Sequence, residues 1–343
     1  MTAPLPLVSI VLPTYNGSRY LQEAVDSIIT QSYHRWELLI VDDASTDETP
    51  RLLASLVARD SRIRSIRNTQ NRKLPASLNE GFAQTTGELL TWTSDDNAHR
   101  PEAIARLVDF LASHPEVDIV YSDYTEIRED GSPIRHMVLP EVVSLPFDNV
   151  VGPCFLYRAR VQEQLRGYAE DLFLAEDYDF WLRASCHFRF ARLSQDLYNY
   201  RVHSGSLTAK RAAAVILAHR QTLSRNLPRM HHLTRRAKAL AYLELARRAF
   251  QRDDLPGVRS LLSNAIRQSP MIALLPDRAV RGRRTSAARH HIGAAESFWA
   301  LTVFAVAGNR GRRQWVRYTQ FIRRPVPAIT SSLRRLGWLF HRR

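Results

Sequence analysis

Strand-like and helix-like segments alternate through the first 120 residues of this 343-residue chain. Five short apolar segments read as β-strands: residues 8–13, 37–41, 62–67, 89–93 and 117–121. The intervening segments place apolar residues at every third or fourth position, a spacing typical of amphipathic helices: residues 19–31, 75–84 and 101–111. This alternation predicts βαβ units and an α/β fold with a mainly parallel sheet.

Two of the predicted helices have recognisable starts. Thr46 is a candidate N-cap for the helix after the second strand, and Pro101 suits the first position of the helix after the fourth. Further along the chain, residues 155–157 and 198–202 read as strands, and residues 178–185 read as a helix.

Three acidic pairs each follow a short, mainly apolar segment: Asp42-Asp43 follows residues 37–41, Asp95-Asp96 follows residues 88–94, and Glu176-Asp177 follows residues 171–175. Ligands of open α/β sheets bind at the carboxyl ends of the strands. Carboxylates gathered there on separate loops favour a divalent cation and a phosphate-bearing substrate. One such pair would be ordinary at a strand end or helix start, but three in order predict a site.

The length favours two domains, and no apolar run reaches the roughly 18 to 20 residues of a membrane span. The first seven residues lack the basic start of a signal peptide. The two cysteines, Cys154 and Cys186, have no metal-ligand spacing and fit reduced thiols. We therefore expect a cytoplasmic protein.

The net charge of +14 is unevenly divided along the chain. Residues 1–210 have a balance of −8, whereas residues 211–343 have a balance of +22, nearly all of it arginine. Such an excess favours an anionic partner. Nucleic acid is the poorer match, because no zinc-finger or RNA-recognition signature is present. Arginines mixed with aromatic residues in residues 281–343 instead favour peripheral docking on an anionic membrane surface, the inner face of the plasma membrane.

These patterns predict three parts of the chain. Residues 1–210 form the α/β domain, and residues 211–280 form a helical extension. Residues 239–270 within that extension resemble one tetratricopeptide-like hairpin. Residues 281–343, with 14 arginines and one acid, form a helical or partly disordered tail.

Four ordered motifs carry a resemblance to a known family. They are VSIVLPTYNG at residues 8–17, VDDASTD at 41–47, TSDDN at 93–97 and LAEDYDFWLR at 174–183. Over residues 7 to about 210 the chain resembles a family 2 glycosyltransferase. The resemblance implies the GT-A fold with its Rossmann-like sheet, a UDP-, GDP- or dTDP-sugar donor, and inversion at the anomeric carbon.

The resemblance implies donor-binding roles for residues at the first two strand ends. Tyr15 follows the first strand, where its ring can stack on a base. Asp43 is expected to accept hydrogen bonds from the base or ribose. The remaining residues implied at the donor are Pro13, Asn16, Asp42, Arg72 with Lys73 at the diphosphate, and Asp95 at the ribose or sugar.

A divalent cation, Mg²⁺ or Mn²⁺, is implied at the second acidic pair, where it would offset charge on the diphosphate. Thr93 stands where many relatives carry a first aspartate, so the chain departs from the usual pattern. We assign metal contact to Asp96, and His203 is a candidate to complete the metal or diphosphate site. A lone histidine is as often structural.

Asp177 is expected to be the general base, because the acceptor hydroxyl must lose its proton as it attacks. Glu176 shares or orients this role. Asp179 can be explained as a charge that only stabilises the start of the helix. Trp181 fits a residue of the acceptor pocket and a residue of the core equally well. The Gln-x-x-Arg-Trp motif of processive synthases is absent from the sequence, which favours one sugar per encounter.

The sequence therefore favours an inverting, metal-dependent glycosyltransferase that acts on a saccharide or lipid-linked acceptor. Cell-surface polysaccharide, lipopolysaccharide or glycolipid synthesis is the expected setting. One alternative is a catalytically inactive GT-A binding module whose helical arm docks a protein or anionic surface. A sugar-nucleotide pyrophosphorylase is a weaker alternative, because Pro13 to Gly17 lack its glycine-rich, basic loop.

Overall fold

The computed structural model describes residues 5–250 and 254–270. The chain divides into two compact units, Met1–His232 and Leu233–Arg343. The first unit holds a nine-stranded mixed sheet with helices, which confirms the predicted α/β class. This unit contains all of the candidate site residues.

The strands lie in the order β3–β2–β1–β4–β8–β6–β9–β5, and β7 pairs with β6. In chain order they are β1 (Val8–Thr14), β2 (Trp36–Asp42), β3 (Ile63–Arg67), β4 (Leu89–Trp92), β5 (Ala98–His99), β6 (Ile119–Ile127), β7 (Pro133–Met137), β8 (Phe155–Arg158) and β9 (Phe190–Arg201). The first four strands are parallel to one another, and β8 runs antiparallel between β4 and β6. The carboxyl ends of β1, β2 and β4 therefore meet at one edge.

Helices cover both faces of this sheet, as a parallel sheet requires. Those of the first unit are α1 (Leu21–Ile29), α2 (Thr49–Val57), α3 (Leu74–Phe82), α4 (Ala103–Ser113), α5 (Ala159–Leu165), α6 (Glu176–Ala184), α7 (Leu207–Lys210) and α8 (Ala212–Asn226). Ile10 and Leu12 of β1 join a buried cluster with α1 and α4. On the other face α3 approaches closely at Gly81, where a Cβ would lie 2.5 Å from Val11 Cγ1.

The early strands lie within one residue of their predicted bounds, but several other predictions were wrong. β6 continues to Ile127, and β9 begins at Phe190, so the sequence pattern predicted only part of each. The predicted helix starts at Thr46 and Pro101 fall in loops before Thr49 and Ala103. Segment 171–175 forms turns, so the third acidic pair begins α6 instead of following a strand.

The second unit contains a helical hairpin, as the pattern of residues 239–270 predicts. Helices α9 (Arg235–Phe250) and α10 (Leu255–Gln268) bury a small apolar cluster that includes Ala239, Leu243 and Leu262. Residues 281–343 lie outside the described residues, and the three-part division of the chain stays a prediction. Among the residues that the structure describes, no helix is both long enough and apolar enough to cross a membrane.

Candidate active site

The first two acidic pairs meet where the strand order reverses. The chain runs from β1 outwards to β2 and β3 and then returns to β4 on the opposite side of β1. This reversal leaves a crevice at the carboxyl ends of β1 and β4. Thr14 Oγ1 donates a hydrogen bond to Asp95 Oδ2 at 2.5 Å, and the Asp43 N–H donates to the Thr14 carbonyl at 2.9 Å. One residue at the end of β1 thus joins both pairs.

Asp95 fits closely against the loop after β1. A Cβ at Gly17 would lie 1.9 Å from Asp95 Oδ2, so only glycine permits this approach. Burial, together with the neighbouring negative charge of Asp96, raises the pKa of Asp95 to about 7. A cation bound beside the carboxyl group would favour its charged form and lower that pKa.

Asp96 and His203, the two predicted metal ligands, lie together. His203 Nε2 is 3.0 Å from Asp96 Oδ2, and the imidazole packs edge-on against Tyr20. Arg201, which is 2% exposed, supports the Asp96–His203 pair. Its guanidinium donates to the Asp96 carbonyl at 3.1 Å and to Glu23 Oε1 at 2.5 Å. The Asp96 loop is therefore tied to β9 and α1 at once.

This pair fits a cation that arrives with a diphosphate. Within residues 5–250 and 254–270, no cluster of three or more His, Cys, Asp or Glu side chains could hold a metal ion alone. Asp96 and His203 supply one oxygen and one nitrogen. Magnesium-type sites in proteins often use only one or two carboxylates and complete their coordination with substrate phosphates and water.

The two residues of the first acidic pair have different surroundings. Asp42 is 1% exposed, forms an ion pair with Arg67, and accepts the Ser45 N–H at 2.8 Å. Asp43 accepts the backbone N–H groups of Arg72 and Lys73 at 2.8 and 2.9 Å. Asp42 therefore holds the end of β2, and Asp43 holds the loop that precedes α3.

The other predicted donor residues lie around the same crevice. Pro13 pairs with Val41 in the sheet, and Asn16 bridges the loops after β1 and β2 by accepting the Thr46 N–H at 2.7 Å. Tyr15 is 50% exposed on the loop after β1, so its ring is available to a ligand. The Arg72 guanidinium lies 3.3 Å from Glu80, a weak exposed pair that a phosphate could displace.

The backbone around the site is strained at several loops. Asn16, Ala44, Lys73 and Leu174 all have left-handed φ angles, between 56° and 77°. Such conformations cost roughly 1 kcal/mol or more for residues other than glycine, and they concentrate at functional sites. These four residues lie on four different loops that carry candidate residues.

The third acidic pair begins α6, where the partial positive charge of a helix N-terminus favours carboxylates. Asp177 is half-buried, and its Oδ2 accepts a hydrogen bond from Asn149 Nδ2 at 2.8 Å. Glu176 is 4% exposed, and its Oε2 has no hydrogen-bond partner in the described part of the chain. Burial, followed by the charge of Asp177, raises the pKa of Glu176 well above its usual range.

The third acidic pair is linked to the sheet beside the second pair through the core. Thr91 Oγ1 of β4 donates a hydrogen bond to the Phe155 carbonyl at 2.6 Å, and the Phe155 ring packs edge-on against Trp181 of α6 at 4.8 Å. The helix that begins with the third acidic pair therefore packs, through β8, on the strand that precedes the second pair.

The sequence left the roles of two α6 residues open, and the surroundings of both are now known. Trp181 is fully buried and packs against Phe155 and Phe180, so it belongs to the core. Asp179 is 2% exposed and forms an ion pair with Arg183 at 2.6 Å. Neither side chain is available to an acceptor.

Two residues that position the candidate groups are not marked by the sequence motifs. Arg201 lies two residues before His203 in a strand-like segment, and a charged residue in such a segment is a usable signal. Asn149 lies in a loop 28 residues before Asp177 and has no local signal. Only the fold brings it to the carboxylate.

Comparisons with known sequences identify relatives of this chain. The profile of the family described as Glycosyl transferase family 2 matches residues 9–173. EpsE of Bacillus subtilis, provisionally named a glycosyltransferase, is 34% identical over 208 residues, which cover 58% of this chain and 74% of EpsE. An uncharacterized glycosyltransferase of Rickettsia felis is 32% identical over 189 residues, but the chain spans only 31% of that longer protein.

Comparisons with solved structures identify the fold. The crystal structure of S. aureus TarS 1-349 matches with a TM-score of 0.60 and 18% identity, over 88% of this chain and 92% of that one. The mannosyltransferase PcManGT of Pyrobaculum calidifontis, solved with GDP-Man and Mn²⁺, matches with a TM-score of 0.56 and 20% identity, over 90% and 89% of the chains. The chain therefore has the GT-A fold.

The sequence match to EpsE and the ordered motifs give the more specific assignment. This chain belongs to glycosyltransferase family 2. The family resemblance predicted from the motifs is confirmed. The roles of the individual site residues stay predictions.

Proposed function

We propose that this glycosyltransferase transfers a sugar, with inversion, from a UDP-, GDP- or dTDP-sugar to a hydroxyl group of a saccharide or lipid-linked acceptor. The observation that carries the proposal is the convergence of three acidic pairs from separate loops. Asp95 and Asp96 follow β4 beside the end of β1, and Asp177 begins α6, which packs through Phe155 of β8 on β4. A donor diphosphate and an acceptor hydroxyl need such groups on opposite sides of one anomeric carbon.

The nucleotide would lie over the loops after β1 and β2. The exposed ring of Tyr15 offers a stacking surface for a base, and Asp43 retains an acceptor position beside the three hydrogen bonds that it already accepts. Asp95 would accept from the ribose or sugar hydroxyls. TarS 1-349 in complex with UDP-GlcNAc and PcManGT with GDP-Man support a nucleotide-sugar donor for this fold.

Asp96 and His203 would hold Mg²⁺ or Mn²⁺ together with the diphosphate. When bound, the cation supplies positive charge that stabilises the departing diphosphate. Arg201 and Tyr20 keep the two side chains in place, since they fix the Asp96 loop and the imidazole. The exposed cations of Arg72 and Lys73 lie on the loop that Asp43 holds, where they would add charge for the phosphates.

Asp177 would take the proton of the acceptor hydroxyl as that oxygen attacks the anomeric carbon. Asn149 donates to Asp177 Oδ2 and so restricts the rotation of the carboxylate. The raised pKa of Glu176 favours its neutral form, so a second negative charge does not develop beside Asp177. The proton taken by Asp177 would leave to solvent after the transfer.

The expected setting is cell-surface polysaccharide, lipopolysaccharide or glycolipid synthesis, as family resemblance implies. The arginine-rich residues 281–343 would dock the enzyme on an anionic membrane near a lipid-linked acceptor. Near such a surface each basic residue contributes about 1 kcal/mol. A few engaged arginines would give reversible binding without a membrane span.

Deleting residues 281–343 should leave a folded enzyme that hydrolyses donor but no longer binds anionic vesicles. The physical reason is that 14 of the chain's arginines are removed with only one acid. Co-sedimentation with phosphatidylglycerol vesicles at low and moderate salt measures the difference. The membrane proposal fails if the full-length protein ignores these vesicles, or if the shortened protein unfolds.

Asn149→Ala should lower the turnover number by about tenfold, because the Asp177 carboxylate loses the group that fixes its orientation. The KM for donor and the melting temperature should change little. Steady-state kinetics with saturating acceptor measures both constants. Gln164→Ala removes an exposed amide from α5 and is the matched control. A normal turnover number for the Asn149 variant would rule out the positioning role.

A screen of UDP-, GDP- and dTDP-sugars, with and without Mn²⁺ and with simple saccharide acceptors, tests the proposed function. We expect turnover of one donor class that depends on the metal. Nucleotide binding without turnover of any donor would favour the inactive binding module. Metal-independent turnover would show that Asp96 and His203 do not hold a catalytic cation.

A further inference from the structure

A second cationic site lies away from the crevice, between the loop after α5, the second turn of α6 and the end of α8. It is a cavity of about 220 Å³. Four arginines line it: Arg166, Arg183, Arg225 and Arg229. None of the candidate donor or acceptor residues lines this cavity. The sequence motifs and the proposed mechanism assign no role to it.

Asp179 contributes the negative charge in the cavity lining, and its hydrogen bonds are already made. Its two oxygens accept from Arg183 Nε at 2.6 Å and from Asn226 Nδ2 at 2.7 Å. Arg183 also donates to the carbonyl groups of Leu165 and Gly167 at 2.9 and 2.8 Å. The Asp179–Arg183 pair therefore forms a neutral, fixed wall, and the remaining arginines give the cavity its positive charge.

The remaining arginines have N–H groups that are available to a ligand. Arg225 uses one nitrogen for Asp171, and this pair is solvent-exposed, so a stronger anion can compete for it. The guanidinium groups of Arg166 and Arg229 contact no acid within the described residues. Three arginines thus line one small cavity, and the one acidic partner among their described ion pairs is the exposed Asp171.

The turn after α5, which forms one side of the cavity, has a strained backbone at Arg166. Arg166 ends α5 in the left-handed conformation, with φ of 57°, a position that glycine occupies most easily. The next residue, Gly167, has φ of 79°, and a Cβ there would lie 2.4 Å from Asn79 Oδ1. The turn therefore requires glycine at 167, whereas at 166 the chain carries an arginine despite the strain. Arg166 itself lines the cavity.

We propose that this cavity binds a phosphate group that is separate from the donor diphosphate. Guanidinium groups match phosphate in charge and in paired hydrogen-bond geometry. The cavity is smaller than the roughly 300 to 1,000 Å³ of sites for drug-sized ligands, so it suits a phosphate with a short attached group. The phosphate comes either from a soluble monoester or from a phosphodiester of a polymer or lipid headgroup.

Calorimetric titration of the full chain with inorganic phosphate, and separately with dimethyl phosphate, tests this site. Tighter binding of the first probe indicates a monoester ligand, and tighter binding of the second indicates a diester. The double variant Arg166→Gln, Arg229→Gln should weaken binding of the preferred probe at least about tenfold. The double variant Arg35→Gln, Arg51→Gln removes two exposed arginines that do not line the cavity and is the matched control for net charge.

A parallel titration contains, at saturation, whichever of UDP, GDP and dTDP binds the protein most tightly, so that phosphate bound at the donor crevice is displaced. The proposal predicts that phosphate still binds with this nucleotide present and that the Arg166, Arg229 double variant loses this binding. If that variant binds phosphate as the charge-matched control does, the proposal is overturned. Because both arginines are exposed, the variants should fold normally, and their melting temperatures check this. Binding is measured without turnover, so the result is independent of the proposed transferase reaction.

Discussion

Replacing Asp177 with asparagine should lower the turnover number at least about a hundredfold, the low end of the range for a lost general base. Asparagine keeps the shape of the side chain but cannot take the acceptor proton. Donor binding should be nearly unchanged, because the proposed donor residues lie at the ends of β1 and β2 and on the loops after the first four strands, away from α6. The turnover number at saturating donor and the Kd for donor, measured by calorimetry, separate the two effects.

Two companion variants sharpen this experiment. Asp171→Asn changes an exposed carboxylate in the same segment and should retain normal turnover. Glu176→Gln should have a much smaller effect than Asp177→Asn, because the raised pKa already favours a neutral Glu176. If the Glu176 variant loses most of its turnover and the Asp177 variant turns over normally, Glu176 and not Asp177 is the general base.

Replacing Asp96 with alanine should abolish transfer and remove the metal dependence of nucleotide binding. The variant deletes the carboxylate that lies 3.0 Å from His203 Nε2 and would hold the cation with the diphosphate. Calorimetric titration of nucleotide with and without Mn²⁺ measures the dependence. The wild-type protein should bind nucleotide more tightly with Mn²⁺, whereas the variant should show equal affinities.

Asp130→Ala is the matched control, because this carboxylate lies on an exposed turn and bonds only locally to Ser132. It should preserve both activity and metal dependence. Wild-type metal dependence in the Asp96 variant would remove that residue from the site. Loss of metal dependence with retained transfer would instead show that the cation is dispensable for the chemistry.

Much of the sheet could be predicted from sequence because its strands are buried on both faces. Continuous apolar runs such as those of β1 and β2 have no other stable location in an α/β fold. By contrast, β7 is mostly exposed, with a mixed sequence, and the two-residue β5 depends on its pairing with β9. Strands held mainly by their neighbours leave little local pattern.

The position of the site could be predicted from the sequence, but the separate roles of the two residues in each acidic pair could not. Asp42 and Asp43 are adjacent, yet one is held by Arg67 and the other by backbone groups of Arg72 and Lys73. These partners lie 25 to 30 residues away along the chain. Asn149 likewise reaches Asp177 only through folding. Local motifs carry no information about such distant partners.

The anomeric configuration of the transfer product is the most direct test of the proposed site. In the proposed mechanism the acceptor oxygen attacks the anomeric carbon from the side opposite the diphosphate, and Asp177 takes its proton. Proton NMR of the product, formed from the donor that the screen identifies, measures the configuration through the coupling of the anomeric proton. We expect a glycosidic linkage of the opposite configuration to that of the donor. A product that keeps the donor's configuration would contradict the account.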